Sequence, residues 1–175
     1  MNNVKNGQLS DLSELFKRYN IAVFNFFLKL TNDKQKSEDL AQNLFYRIIR
    51  YRESYQGEKG SFKSWMYQMA RNMHADYCKQ EKKITGIVKD SIHFTETQIN
   101  VGDESGVESR YERLHFALGK LGPVDRELIV LSRFEGLKYR EISKIKNMSE
   151  GSIKVQIHRA IKELKQIYFN QKNGR

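Results

Sequence analysis

The sequence has a single cysteine, a single proline and no long apolar run. With Cys78 alone, an intramolecular disulfide is excluded, and this cysteine usage fits a reducing cytosol. No segment approaches the roughly 20 apolar residues of a membrane span, and the N-terminus lacks the apolar core of a signal peptide. Only Pro123 interrupts the helical patterns, and strand-like alternation is scarce. We therefore expect a soluble, cytoplasmic, all-α protein.

Motifs that would carry catalysis are also missing. The sequence has no glycine-rich phosphate loop, no paired loop carboxylates and no nucleophile constellation. His74 and Cys78 would share a helical face, but no second ligand pair accompanies them, and a structural zinc site needs four ligands. The sequence thus predicts no enzyme, no metal site and no cofactor.

Charge is abundant and unevenly distributed. The chain has a net charge of +10 and an isoelectric point of about 9.6. Residues 1–83 carry +6, residues 84–108 carry −4 and residues 109–175 carry +8. Two basic blocks around an acidic segment predict two modules on a tether that bind a polyanion or an acidic surface.

Residues 136–164 carry the pattern of two short helices joined by a tight turn. Ile142 and Ile145 share one face of the first helix. Asn147 suits the left-handed residue at a helix end, and Ser149 suits the N-cap of the next helix.

The second of these helices combines an apolar stripe with a donor-rich face. Ile153, Ile157 and Leu164 recur at helical spacing. The face left over carries Ser152, Gln156, Arg159 and Lys162. This pattern is typical of a helix-turn-helix, whose second helix enters the DNA major groove. The alternative is an ordinary helical hairpin with a solvated basic face.

Three more helices are predicted at residues 9–30, 38–51 and 61–80, and Ser37 suits the N-cap of the second. The second has an apolar stripe, and its other face carries Asp39, Gln42, Asn43 and Tyr46. This face suits docking on a partner, although a carboxylate such as Asp39 is also favoured at any helix N-terminus. The third follows a loop with two glycines and mixes aromatic with basic and amide side chains. Such a mixture suits stacking on unpaired bases, although an amphipathic helix with all its aromatic residues in the core is the alternative.

Residues 84–108 lack a helical period, and we expect them to form an acidic, flexible linker. They would separate an N-terminal helical bundle at residues 8–83 from a C-terminal helix-turn-helix domain at residues 109–172.

Three motifs in this order resemble the extracytoplasmic-function (ECF) group of bacterial RNA polymerase sigma factors over most of the chain. Residues 39–45 are similar to the family's D-x-x-Q-E-x-F helix, and residues 62–72 to its F-x-x-W-L-x-x-I-A-x-N helix. Residues 136–142 and 149–160 are similar to G-L-S-Y-x-E-I-A and S-x-G-T-V-K-S-R-L-x-R-A.

The resemblance implies a transcription initiation factor that is monomeric when free. It would bind core RNA polymerase, at the β′ clamp helices and the β flap, and promoter DNA; an anti-sigma factor is a partner that this group commonly has. Core-binding residues would be Asp39, Gln42, Asn43 and Tyr46. Residues at the melted minus-ten element would be Tyr55, Phe62, Lys63, Trp65 and Asn72. Residues at the minus-thirty-five element would be Tyr139, Arg140, Ser152, Lys154, Gln156, Arg159 and Lys162.

Three positions depart from the family pattern. Asn43 stands where the family usually has Glu, so one charge at the polymerase contact is missing. Val155 and Gln156 replace the usual Ser-Arg, and an amide can pair with adenine where arginine prefers guanine. Asn147 replaces a common Gly in the turn, which the geometry tolerates.

Two rival functions use the same features. A helix-turn-helix repressor or activator would bind duplex DNA without polymerase, but such regulators usually dimerise, and no dimerisation helix is visible. A signalling adaptor would use the basic helices to hold an acidic partner, since charge alone does not fix the partner.

Overall fold

The computed structural model describes residues 10–85 and 108–170, which form seven α-helices and no strand over those ranges. The N-terminal module comprises α1 (Ser10–Thr31), α2 (Lys34–Arg50) and α3 (Phe62–Thr85). The C-terminal module comprises α4 (Glu108–Lys120), α5 (Pro123–Ile129), α6 (Tyr139–Lys146) and α7 (Glu150–Asn170). The predicted all-α class is confirmed, whereas most of the predicted linker, residues 86–107, lies outside the described residues. No helix in the two described ranges is long and apolar enough to cross a bilayer.

Helix α2 begins earlier than the sequence predicts. The helix begins at Lys34 rather than near residue 38, because the Asp33 carboxylate accepts a hydrogen bond from the Lys36 amide at 3.0 Å. Ser37, which suited the cap position, is instead fully buried, and its hydroxyl lies 2.9 Å from that of Thr31. This hydroxyl pair ties the end of α1 to the first turn of α2.

One apolar core runs through both modules. Helix α1 packs on α2, α4 and α5, while α3 packs on α2 and α6. Phe26, Leu44 and Met66 of the N-terminal module share this core with Leu131 and Ile142 of the C-terminal module, and all five are buried. Fully burying one such side chain contributes about 1.5–3 kcal/mol. The charge pattern predicted two modules on a tether and gave no sign that they pack on each other.

A buried guanidinium on α5 contacts the ends of two other helices. Arg126 is only 2% exposed and donates to the carbonyl oxygens of Leu118 at 2.8 Å, Gly119 at 2.6 Å, Leu121 at 3.1 Å and Leu30 at 3.2 Å. The last carbonyls of a helix lack intrahelical partners and carry partial negative charge, so a cation is stabilised there. Burial lowers the pKa of Arg126 to about 10, which leaves the side chain charged at neutral pH.

The turn between α6 and α7 has the predicted geometry. Asn147 is left-handed, with φ 52° and ψ 48°. The Ser149 hydroxyl caps α7 by accepting from the Ser152 amide at 3.1 Å. Upstream, Gly136 has φ +63°, a conformation that costs glycine little, where the π-helical continuation of α5 (Val130–Phe134) turns towards α6.

Replacing Arg126 with methionine is expected to lower the free energy of unfolding by about 3 kcal/mol or more, because four buried carbonyls lose their donor. Arg133→Met is the matched control. It removes an exposed guanidinium from the continuation of α5 and is expected to change the free energy of unfolding by less than about 0.5 kcal/mol. Urea unfolding followed by circular dichroism measures both variants. Equal, small effects of the two substitutions would contradict the role given to Arg126.

Candidate nucleic-acid and polymerase interfaces

The residues predicted to bind polymerase form one exposed stripe on α2. Asp39, Gln42, Asn43 and Tyr46 follow the i, i+3, i+4, i+7 spacing of a helix face, and all four are exposed, Tyr46 to 60%. The opposite side of α2 buries Leu40, Leu44 and Ile48 in the core. The buried side chains therefore fix the position of α2, and none of the four stripe residues is needed for that packing.

An aromatic cluster supports the loop between α2 and α3. The ring centroid of Trp65 lies 5.6 Å from that of Tyr55 and 5.9 Å from that of Phe62, which is in turn 5.5 Å from Tyr19. Tyr55 is 9% exposed, and its hydroxyl donates to the Gly60 carbonyl at 3.4 Å. Among the predicted minus-ten residues, Tyr55 thus shapes the loop from beneath, whereas Phe62 and Trp65 keep part of their surface accessible.

Asn72 extends this surface along α3. It lies seven residues after Trp65, two turns further on the same face, and its side chain is exposed. The Arg71 guanidinium donates to the Asn72 side-chain oxygen at 3.2 Å. Lys63 is half-buried beside the loop. Aromatic, amide and cationic groups are therefore adjacent, as base stacking with phosphate neutralisation requires.

A groove of about 620 Å³ runs along the outer face of α7. Its α7 lining consists of Gly151, Ser152, Val155, Gln156 and Arg159, and Asp125 of α5 closes one side. The predicted Ser152, Gln156 and Arg159 thus come together. Val155, which is 50% exposed, belongs to the same face and was not predicted, although its spacing of three from Ser152 was a signal for it.

The other predicted minus-thirty-five residues surround this groove rather than line it. Lys154 and Lys162 are exposed on α7, and at 3.6 residues per turn both lie on the flank that continues from Val155. Arg140 is exposed and Tyr139 half-buried at the start of α6. Exposed cations beside a base-reading helix face are suited to contacts with the phosphates that border a major groove.

The loop of the N-terminal module and α6 of the C-terminal module face each other across a cleft of about 330 Å³. The Ser61 hydroxyl donates to the Glu141 carboxylate at 2.6 Å. The Lys144 ammonium donates to the Lys59 carbonyl at 3.3 Å. In this arrangement α6 covers one side of the loop that the minus-ten residues support.

Deeper in the same interface, a phenol and a carboxylate are buried together. The Tyr67 hydroxyl donates to Glu135, which is 5% exposed. Burial raises the pKa of Glu135, although Tyr67, Lys29 and Lys63 partly oppose the shift. Beside this pair, Glu127 bridges the modules, with its carboxylate 3.3 Å from Arg71 and 2.5 Å from Lys146. The contact between the modules therefore includes ionisable groups as well as apolar packing.

His74 and Cys78 contact each other at 3.6 Å, as their spacing predicted. Burial, with a smaller contribution from Arg126, lowers the pKa of His74 to about 4, and burial raises the pKa of Cys78. The histidine is neutral and the thiol protonated at neutral pH. Over the described residues, no group of three or more histidine, cysteine or carboxylate side chains is placed to hold a metal ion.

Two family models match the chain, one in each module. The model of sigma-70 region 2 matches residues 15–84, and that of sigma-70 region 4 matches residues 111–164. The ECF RNA polymerase sigma factor SigM of Bacillus subtilis is 33% identical over 157 residues, which cover 90% of this chain and 94% of the relative. RNA polymerase sigma factor CarQ of Myxococcus xanthus is 27% identical and covers 95% of this chain and 94% of its own length.

Among solved structures, the fold is similar to that of the sigma factor RpoE in complex with the anti-sigma factor NepR from Bartonella quintana. The TM-score is 0.72 at 21% identity, over 94% of this chain and 99% of the other. CnrH in complex with the cytosolic domain of CnrY gives a TM-score of 0.71 at 18% identity, over 94% and 92% of the two chains. At these identities the likeness is one of fold.

Proposed function

This chain belongs to the sigma-70 family of RNA polymerase sigma factors, in its extracytoplasmic-function group, and we propose that it divides promoter recognition between its two modules. As a member of the family it is a promoter-specific transcription initiation factor that acts with RNA polymerase, and it is not an enzyme. The observation that carries the proposed division is the pair of separate polar surfaces on α3 and α7, each bordered by cations.

The N-terminal module, at residues 8–83, holds the polymerase and the melted minus-ten element. Asp39, Gln42, Asn43 and Tyr46 dock on the β′ clamp helices. Extracting a base from the duplex costs a few kcal/mol, which stacking of about 1–3 kcal/mol per base and hydrogen bonds to the base edge must offset. Phe62 and Trp65 supply the stacking and Asn72 the edge contact, while Lys63 neutralises phosphate and Tyr55 shapes the loop.

The C-terminal module, at residues 109–172, lays α7 in the major groove of the minus-thirty-five element and contacts the β flap. Ser152, Gln156 and Arg159 face the base edges, and Tyr139, Arg140, Lys154 and Lys162 contact the backbone. Phosphate contacts position the module, whereas the few base-edge contacts give specificity. We place the protein in the cytoplasm, where its polymerase and DNA partners are, with an anti-sigma factor as the inhibitory partner.

The packed arrangement of the modules is too small to hold both promoter elements at once. The two elements are about 25 base pairs, or about 85 Å, apart along B-DNA. A compact chain of 175 residues has a radius of gyration of about 16 Å and hence a diameter of about 40 Å. Promoter binding therefore requires the modules to separate, which breaks the Tyr67–Glu135 contact and exposes the loop beside Ser61. The 22 residues between α3 and α4 can span up to about 75 Å, which permits this separation.

Addition of the protein to sigma-free core polymerase is expected to give transcription from a cognate promoter, because the α2 stripe is exposed for docking. Gel filtration with core polymerase and run-off transcription measure the two steps. A protein that binds promoter duplex but never co-elutes with the core would be a repressor or activator of the polymerase-free kind, and the proposal would be wrong.

Asn72→Ala is expected to reduce promoter opening at least tenfold and to leave binding to a minus-thirty-five duplex unchanged. Asn72 lies on α3 of the N-terminal module, whereas the proposed duplex contacts come from the C-terminal module. Permanganate reactivity of minus-ten thymines measures opening, and fluorescence anisotropy measures duplex binding. Gln80→Ala removes an exposed amide further along the same helix and serves as the control. Trp65→Ala is expected to act in the same direction as Asn72→Ala. Equal loss of opening and duplex binding would contradict the division of labour.

Tyr67→Phe is expected to favour separated modules about tenfold, because it leaves the buried Glu135 without its hydroxyl donor, at a cost of about 1.5 kcal/mol or more. Small-angle scattering of the free chain should show a larger radius of gyration. Glu135→Gln, whose amide oxygen still accepts from Tyr67, should stay compact, as should Tyr111→Phe at an exposed position. A Tyr67→Phe chain as compact as the wild type would show that the hydroxyl does not hold the modules together.

A further inference from the structure

One side chain that lines the groove along α7 is hydrogen-bonded to a residue outside that helix. The Gln156 side-chain nitrogen donates to the Asp125 carboxylate at 3.0 Å. The two residues are 31 apart in the sequence, Asp125 on α5 and Gln156 on α7, and both line the groove. Both are partly buried, so the contact is shielded from bulk water more than an ordinary surface pair.

The chemistry of this pair fixes which way the amide points. An ionised carboxylate only accepts hydrogen bonds, so the amide nitrogen of Gln156 must face Asp125 and the amide oxygen must face away. One amide N–H remains free after this contact. Gln156 therefore presents an acceptor and a donor side by side, in a fixed order, to whatever enters the groove.

That order matches the major-groove edge of adenine, which offers the N6 amino group as donor and N7 as acceptor. Guanine offers two acceptors at the corresponding atoms and leaves the amide oxygen without a donor. Val155, half exposed next to Gln156 in the same groove, adds an apolar surface of the kind that contacts a thymine methyl group. Both residues thus favour an A·T pair.

We propose that Asp125 is a positioning residue that orients the Gln156 amide to read adenine in the minus-thirty-five element. The inference rests on the proposed function of α7 as the helix in the major groove. Asp125 is also the third residue of α5, where a carboxylate favours the positive end of the helix dipole. That second role affects stability equally for all DNA sequences, so base preference separates the two roles.

The test uses the full chain assembled with core polymerase and a promoter library randomised across the minus-thirty-five element. Wild type, Asp125→Asn, Asp125→Ala, Gln156→Ala and the Asp125→Ala/Gln156→Ala double variant are selected in parallel. Glu150→Gln, which removes an exposed carboxylate from the first turn of α7, is the control. The readout is the ratio of adenine to guanine at each position, in which uniform changes of affinity or stability cancel.

The wild type is expected to prefer adenine at one position by about fivefold or more, the discrimination of a bidentate contact. Gln156→Ala should abolish this preference, and Asp125→Asn and Asp125→Ala should reduce it to about twofold or less. The double variant should match Gln156→Ala alone, since the two residues act as one unit. Glu150→Gln should keep the wild-type ratio.

Three outcomes would overturn the inference in distinguishable ways. If the wild type selects no minus-thirty-five sequence, the proposed function is itself wrong. A wild-type preference that Gln156→Ala leaves intact shows that Gln156 does not read the base. A preference lost in Gln156→Ala but retained in both Asp125 variants shows that Asp125 stabilises α5 without orienting the amide.

Discussion

The arrangement of the helices depends on the four hydrogen bonds that Arg126 donates to main-chain carbonyls. Three of these carbonyls belong to the end of α4 and its exit, and the fourth lies near the end of α1. Because Arg126 itself is on α5, one guanidinium joins three helices. Helix α5 also packs on α7, and this packing brings Asp125 beside Gln156.

The interface between the modules combines apolar packing with polar contacts of fixed direction. Apolar side chains hold the modules together with little demand on geometry. The Tyr67–Glu135 and Arg71–Glu127 contacts, in contrast, require one relative position of the two modules. Burial raises the pKa of Glu135. The Glu135 carboxyl group therefore binds a proton more tightly when the modules are packed together than when they are separated. The stability of the packed arrangement falls as pH rises through that pKa. The interface is therefore specific in its geometry and dependent on pH, and both properties are compatible with the proposed separation of the modules.

Local sequence signals predicted the helices and the turn well, because helical periodicity, Asn147 and Ser149 act within a few residues. The α2 stripe and the Ser152–Gln156–Arg159 face followed from spacing alone. The cap at Asp33 rather than Ser37 was missed because burial of Ser37 against Thr31 is a tertiary effect. The Arg126 contacts, the packing of the modules and the Asp125–Gln156 pair were also missed, since each joins residues that no local pattern relates. The roles of individual residues at polymerase and promoter stay predictions.

Helix α7 carries its core-packing side chains and the side chains proposed to read DNA on different faces. Ile153, Ile157 and Ala160 are buried, whereas Ser152, Val155 and Arg159 project outward. Most of the outward positions can therefore mutate freely during evolution without loss of the fold. Gln156 differs from them because its side chain donates to Asp125 of α5, the contact proposed to orient its amide. A change of promoter preference at this position would need paired substitutions on two helices, so that the evolutionary paths between specificities are epistatic.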